Sequence, residues 1–359
     1  MKSIAHAWVG LMALERLKAP KSEGYLGQKF KSFFLGQSFN TYYNKQAKRF
    51  VDFFDRHRDA FVQGAWFPDS VIADNLTGGH TLKLKKPAKE SENKEAKAIQ
   101  NRTPDHLSSR RALIGEPELN EKLYVKDKYI LPDRCEALSH SIRDMILIQR
   151  HEPKGSDIMY TDDQITLYFL MLSHYLADAH VPPHSDARDF YTPPTIHPDM
   201  EKYWDDEIRN FYSFDRKRKV FDYDLDGAPE LKQKKLGKFE GSLLYEALEV
   251  LSRRKWNPAD PKSRYLGENN KKTYDYVKAV CLDSYLVSQW FIPDMPARQY
   301  EKIKILKDDQ YKDKLRKMSV HVLADAIDSI ALVWLLTWDS YNKLKEEAAR
   351  KRKEIRGGE

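Results

Sequence analysis

An all-helical fold is what this chain of 359 residues predicts, and three observations carry the expectation. Apolar residues recur at helical intervals through most of its length, and strand signals are weak. One stretch, Asp162 to Asp178, is apolar enough to be a central helix buried on nearly every side. Taken in order, His6 to Leu17 alternates apolar and polar positions with a helical period, and Asn44 to Phe61 does so again. Arg134 to Gln149 follows, with Leu138, Ile142, Ile146 and Ile148 apolar and Arg143 and Asp144 polar. The central helix opens on Thr161-Asp162-Asp163-Gln164, an N-cap followed by acids at the positive end of the helix dipole. Gly241 to Arg254, Lys272 to Phe291 and Lys312 to about Arg350 complete the scaffold. We expect one all-helical domain over residues 1–359.

Two charged insertions interrupt it. Lys83 to Pro104 is rich in lysine and glutamate and poor in apolar residues, so a mobile loop or exposed flap is expected. Ser213 to Lys238 is similarly charged and contains Gly227 and Pro229. Within it Asp222-Tyr-Asp224-Leu-Asp226-Gly227 imitates the start of a calcium loop. Gln233 stands where the closing glutamate belongs and a proline lies inside the loop, so an ordinary turn is expected. Lys343 to Arg356 mixes acids and bases as a solvated helix end does.

A hydrophobic share of 41% supplies a sizeable core and 32% charged residues a soluble surface. No apolar run approaches the ~20 residues that cross a bilayer, and the most apolar stretch, Ile327 to Trp338, is too short. The start, Met1-Lys2-Ser3-Ile4-Ala5-His6, lacks the apolar core of a signal peptide. Cys135 and Cys281, two distant thiols, suggest no disulfide framework. A cytoplasmic address is the expectation. The net charge of +7 gives a slight preference for anionic partners.

The chemistry is concentrated between His174 and Asp205. The segment reads His174-Tyr-Leu-Ala-Asp178-Ala-His180-Val-Pro-Pro-His184, then His197, Glu201 and Asp205. His174 and Asp178 are four apart, so a helix projects them from one face. His197, Glu201 and Asp205 repeat that step and fit a second helix. Pro182 and Pro183 stop the first helix and turn His184 back toward it. Imidazoles and carboxylates without nearby thiols are the ligand set of a hydrolytic zinc centre. An aspartate in so apolar a helix is costly unless compensated, and metal ligation compensates it.

The His-Tyr-Leu-Ala-Asp-x-His-x-Pro-x-His run resembles the core motif of the superfamily that joins bacterial zinc-dependent phospholipase C to the S1/P1 nucleases. The resemblance covers residues 1 to about 210 and, loosely, the late helices. It implies an all-helical fold, three zinc ions and hydrolysis of phosphate esters. In the relatives a terminal residue chelates one zinc through its amino group and carbonyl, with a histidine that in the nucleases follows five residues later. Met1 and His6 stand at that interval here, and the bulky Lys2 implies that Met1 is retained, a ligand made without secretion or cleavage. Gly64-Ala-Trp-Phe-Pro-Asp69 resembles the family segment that supplies a single carboxylate, with Asp74 as a weaker alternative. His80, after paired glycines, matches the next ligand.

On this resemblance Asp69, His80, His174 and Asp178 hold one zinc, and Met1, His6 and the bridging Asp178 a second. His184, His197 and Glu201 hold the third, as in the phospholipase segment His-x3-Glu. Asp205 is the alternative ligand there, although an exposed helical acid is the more economical account. His180 matches no ligand position, so it is expected to orient a ligand from behind or to lie at the surface. Asp69 is also the expected acceptor of a proton from the attacking water. Neither a Gly-x-Ser-x-Gly nucleophile motif nor a Gly-rich phosphate loop occurs.

Substrate is less defined. Trp66, Phe67, Phe190 and Tyr191 lie close in sequence to the ligands and could stack a base or cage a choline-type cation. Nucleic acid or a nucleotide fits the basic charge, whereas the last ligand pair is like the lipase, which keeps phospholipid as the alternative. An intracellular nuclease needs restraint, so an insertion or a regulatory partner is expected to gate it. A zinc-stabilised binding module without activity is a further alternative. A helical HD-type phosphohydrolase ranks last, since no adjacent His-Asp pair occurs.

Overall fold

The computed structural model describes residues 1–20, 24–72, 78–98, 104–115, 122–126, 130–151, 159–260 and 272–356. Helices dominate it. The principal ones are α1 (Ser3–Arg16), α2 (Thr41–Asp55), α3 (Phe61–Phe67), α4 (Leu131–His151), α5 (Asp162–Ala179), α6 (Ile196–Phe211), α7 (Leu243–Arg253), α8 (Lys272–Phe291) and α9 (Asp309–Arg356). Their buried residues form one contiguous cluster running from Met1 to Trp338.

α5 is the central helix. Thr161 accepts from the Gln164 amide while the Gln164 side chain accepts from the Thr161 amide, closing a capping box at the expected place. α1, α3, α4, α8 and α9 all pack against it. The Trp334 ring of α9 stacks 5.0 Å from Phe54 of α2, and its Nε1–H donates to the Phe169 carbonyl of α5 at 2.9 Å. α9 is longer than expected. Its portion Asp309–Ser340 is long and apolar enough to cross a membrane by length and composition, and 89% of its most apolar window is buried within this protein.

The expected helix from Asn44 to Phe61 breaks. It starts earlier, at an Asn40 cap whose side chain accepts from Tyr43, and ends at Asp55. Arg58 then engages Asp55 and Glu15, and its carbonyl accepts from the Tyr223 hydroxyl, so the chain turns before α3 begins.

The first insertion is corrected. Rather than a mobile loop throughout, it contributes strands β1 (Leu84–Lys85) and β2 (Lys97–Ala98) on either side of β3 (Lys122–Val125), all antiparallel, with a helical turn Glu90–Glu95 between the first two. Leu84 is buried against the core and bridges to Asp186, while the Lys83 ammonium donates to the Pro183 carbonyl. Two-residue strands show no alternation a sequence reading could find. Residues 99–103 of that insertion and Asp74 lie outside the described residues.

The second insertion holds a hairpin of β4 (Phe214–Asp215) and β5 (Val220–Phe221). Its acidic segment is a turn: Asp224 accepts from the amides of Asp226 and Ala228, and Gly227 takes a φ of +77°. Cys135 and Cys281 are buried free thiols.

Candidate metal centre

Six segments bring the site together, and local geometry explains each. α5 presents His174 and Asp178 one turn apart, both fully buried. α1 packs against α5 and brings Met1 and His6 in at its first turn. Gly64 lets α3 approach α5 closely, since a Cβ there would lie 2.4 Å from Leu170 Cδ1. α3 runs into a wide turn, Pro68–Ile72, that carries Asp69. Gly78, at φ +74°, turns the chain into His80, whose neighbour Leu82 pairs with the His184 carbonyl at 3.2 Å. A short turn, Pro182–Ser185, carries His184, and α6 carries His197 and Glu201.

Three groups of donor atoms result: His80, His174 and Asp178; His6, Asp69 and His174; and His184, His197 and Glu201. In the first, His80 Nδ1, His174 Nε2 and Asp178 Oδ2 are separated by 3.0, 2.8 and 3.2 Å. In the third, His184 Nε2 and His197 Nε2 are 2.9 Å apart, with Glu201 Oε1 at 2.7 Å from His197 and 3.7 Å from His184. Asp178 joins the groups. Its Oδ2 faces His80 and His174, while Oδ1 lies 3.4 Å from the Met1 amino nitrogen and 3.5 Å from both His6 Nε2 and His184 Nδ1. The Met1 amino group lies nearer still to Glu201, at 2.8 Å.

The donors are oriented from behind. His174 Nδ1 bonds the Ala65 carbonyl at 2.7 Å, and His184 Nδ1 bonds the His80 carbonyl at 3.0 Å. A backbone carbonyl accepts only from N–H, so each Nδ1 carries the proton and each Nε2 turns its lone pair inward. These two carbonyls left no trace in the sequence. His6 stacks on His174 at 3.9 Å, with both of its ring nitrogens buried and without a hydrogen-bond partner.

Electrostatics follow from this crowding. Burial pushes the Asp178 carboxyl up, but His184, His174, the Met1 amino group and His6 outweigh it and hold the carboxyl well below the usual range. Glu201 is held low in the same way, burial being outweighed by the Met1 amino group and His197. Burial depresses His6, and His174 and the Met1 amino group depress it further. Burial also carries His184 down to about 4. Asp69, at the edge, is pushed up by burial and by Asp178 against the pull of His174.

The three groups are geometrically able to hold metal ions, and imidazole and carboxylate donors are a set that zinc accepts. Ligand atoms about 2.0–2.2 Å from a tetrahedral zinc lie roughly 3.3–3.6 Å apart, and the donor atoms of the first and third groups are separated by 2.7–3.7 Å. Both ring nitrogens of His6 are buried without a hydrogen-bond partner, a deficit that a cation bound at Nε2 would relieve.

The remaining expected residues divide. Trp66 flanks the site, its ring 6.0 Å from His6 and 6.1 Å from His174. Tyr191 is 61% exposed and sits 4.4 Å from the His197 ring, so it borders the mouth. Phe67 packs partly buried against the core. Phe190 is corrected: at 2% exposure it is buried between Tyr300 and the Arg188 guanidinium, with no face open for a substrate to stack on. His180 is also corrected: it neither orients a ligand nor lies at the surface, but is buried and bonded to Ser329 at 2.7 Å. Asp205 is engaged outside all three groups, by the Ile4 and Ala5 amides and Arg209.

Comparison of the chain with protein-family models, curated proteins and solved structures found no match in any of the three.

Proposed function

We propose that this chain is a zinc-dependent phosphodiesterase of the phospholipase C/S1-P1 type, acting on nucleic acid or nucleotides. The observation that carries the reading is the convergence of Met1, His6, Asp69, His80, His174, Asp178, His184, His197 and Glu201 from six segments on one cluster. His80, His174 and Asp178 would hold one ion, His184, His197 and Glu201 another, and Met1 and His6 a third with Asp178 shared. Bound there, zinc supplies Lewis acidity toward a phosphoryl oxygen and toward an attacking water.

The chain's own groups do the rest. Asp69 is the most open of the three carboxylates, its side chain 25% exposed against 2% for Asp178 and 15% for Glu201. It is therefore the carboxylate placed to accept a proton from water entering at the mouth. Ala65 and His80 hold their imidazole partners in one tautomer. Trp66 and Tyr191 offer flat faces on which a base can stack, and the net charge of +7 favours a polyanion. A second reading, a phospholipid headgroup as substrate, draws on Glu201 rather than Asp205 completing the His197 group, which is the phospholipase arrangement.

The test is chelator-sensitive hydrolysis, with single-stranded DNA and phosphatidylcholine as parallel substrates. Cleavage of DNA alone supports the reading, cleavage of lipid alone moves the substrate to the second, and no metal-dependent cleavage of either rejects both.

A further inference from the structure

Asp205 lies one turn beyond Glu201 on α6, and its spacing from Glu201 repeats that of Glu201 from His197. Its carboxylate is nonetheless spoken for. Oδ1 accepts from the Ile4 amide at 3.0 Å and the Ala5 amide at 3.1 Å, while Oδ2 accepts from Arg209 Nε at 2.8 Å. The residue is only 6% exposed. The first amides of a helix have no partner within it, and α1 receives no side-chain cap from Lys2, which precedes it. Asp205 therefore caps α1 from a residue about two hundred positions away in sequence.

That cap sits between two donors of the metal cluster. Ile4 and Ala5 immediately precede His6, and three residues before Ile4 is Met1, whose amino group reaches Asp178 and Glu201. Resting on the metal reading above, we propose that Asp205, braced by Arg209, is a positioning residue. It clamps the first turn of α1 onto α6, so that Met1 and His6 are delivered to the side of the cluster facing Asp178. A negative charge at the N-terminal end of α1 also meets the positive end of its dipole. The adjacent Asp206 makes an exposed pair with Lys202 and has no such part.

The experiment separates clamp from ligand. The Met1 amino group is labelled with an amine-reactive ester in metal-free protein and quantified by peptide mapping, and zinc per chain is counted separately in reconstituted protein. Variants are Asp205→Ala, Asp205→Asn and, as control, Asp206→Ala. Asp205→Ala is expected to label about tenfold faster than the parent, the change a lost helix cap produces, and to lose about one zinc. Asp205→Asn keeps an oxygen acceptor for both amides but loses the charge and the Arg209 pair, so it is expected to fall between the parent and Asp205→Ala in both readouts. Parent-like labelling in Asp205→Ala would overturn the clamp. So would zinc loss in Asp205→Asn equal to that in Asp205→Ala, because a direct ligand needs the charge. If Asp205→Ala does not fold, Asp205→Asn decides alone: labelling raised by less than about tenfold with zinc retained supports the proposal, and zinc loss without faster labelling overturns it. Altered labelling without zinc in the parent leaves the clamp standing and rejects the metal reading instead.

Discussion

Asp178 is the residue on which the site turns. Each of its oxygens faces a different set of donors, so replacing it with asparagine removes the only charge common to them. Partners one step further from a metal cost about 10–100-fold when removed, so Asp178→Asn should lower metal-dependent activity by more than about 100-fold. Titration of purified variant with zinc, followed by rate measurement at saturation, checks this. A second prediction concerns His106, outside the cluster, buried and bonded to the Tyr276 hydroxyl at 2.9 Å. Burial brings its pKa down from 6.5 to about 4, with Asp328 and Asp325 opposing and Arg254 and Arg16 assisting. A depressed histidine is neutral when folded, and the unfolded chain binds the extra proton first as pH falls. Its contribution is complete above about pH 6.5, is lost as pH falls toward 4, and is bounded by roughly 3 kcal/mol. Urea unfolding at several pH values should show a shallower acid decline in His106→Gln than in the parent.

At this scale the helix-borne ligands were the most legible. His174 and Asp178 announce themselves by spacing, and Pro182-Pro183 before His184 marks the turn. Asp205 misled as an exposed helical acid: it is buried beneath the first turn of α1, whose Ile4 and Ala5 amides it accepts from, and only the seating of α1 reveals this. Phe190 misled because neighbouring loop residues, Phe190 and Tyr191, face opposite environments without any periodicity to say which is which.

At the scale of elements, close approach between helices sets the geometry. Gly64 is where α3 meets α5, with Leu170 atoms at 2.4 and 3.1 Å from where a Cβ would stand. Gly64→Ala is therefore expected to destabilise by about 1–3 kcal/mol and to loosen the Ala65 carbonyl from His174. Denaturant unfolding measures the first effect and zinc affinity the second. A variant as stable as the parent would show that the two helices slide without cost. The central helix was legible to within a residue, because its apolar run and capping box are local signals. The small sheet was not. Leu84 is buried through pairing with β3 and bridging to Asp186, contacts between segments far apart in sequence, in a stretch whose composition is that of a loop.

For the whole molecule, the proposed metal centre and the fold are one structure. The cluster is fed by α1, α3, α5 and α6 and by the segments around His80 and His184, so candidate ligands from across the chain meet within a single core. Removing the ions would leave buried carboxylates and facing imidazoles to be compensated by protons alone. Stripping zinc with a chelator is expected to lower stability by about 3 kcal/mol for each site previously held at a hundredfold excess over its Kd. Thermal unfolding with and without chelator reads this directly, and an unchanged midpoint would contradict it. The all-helical architecture itself was legible from hydrophobic period alone, since most of the core is built from faces of long helices.

The most direct measurement is the zinc content of the folded chain by native mass spectrometry, with Met1 unmodified and no tag before it. The account predicts three zinc ions per chain, falling to none on chelation while the chain mass is unchanged. A chain that stays metal-free in the presence of zinc would contradict it.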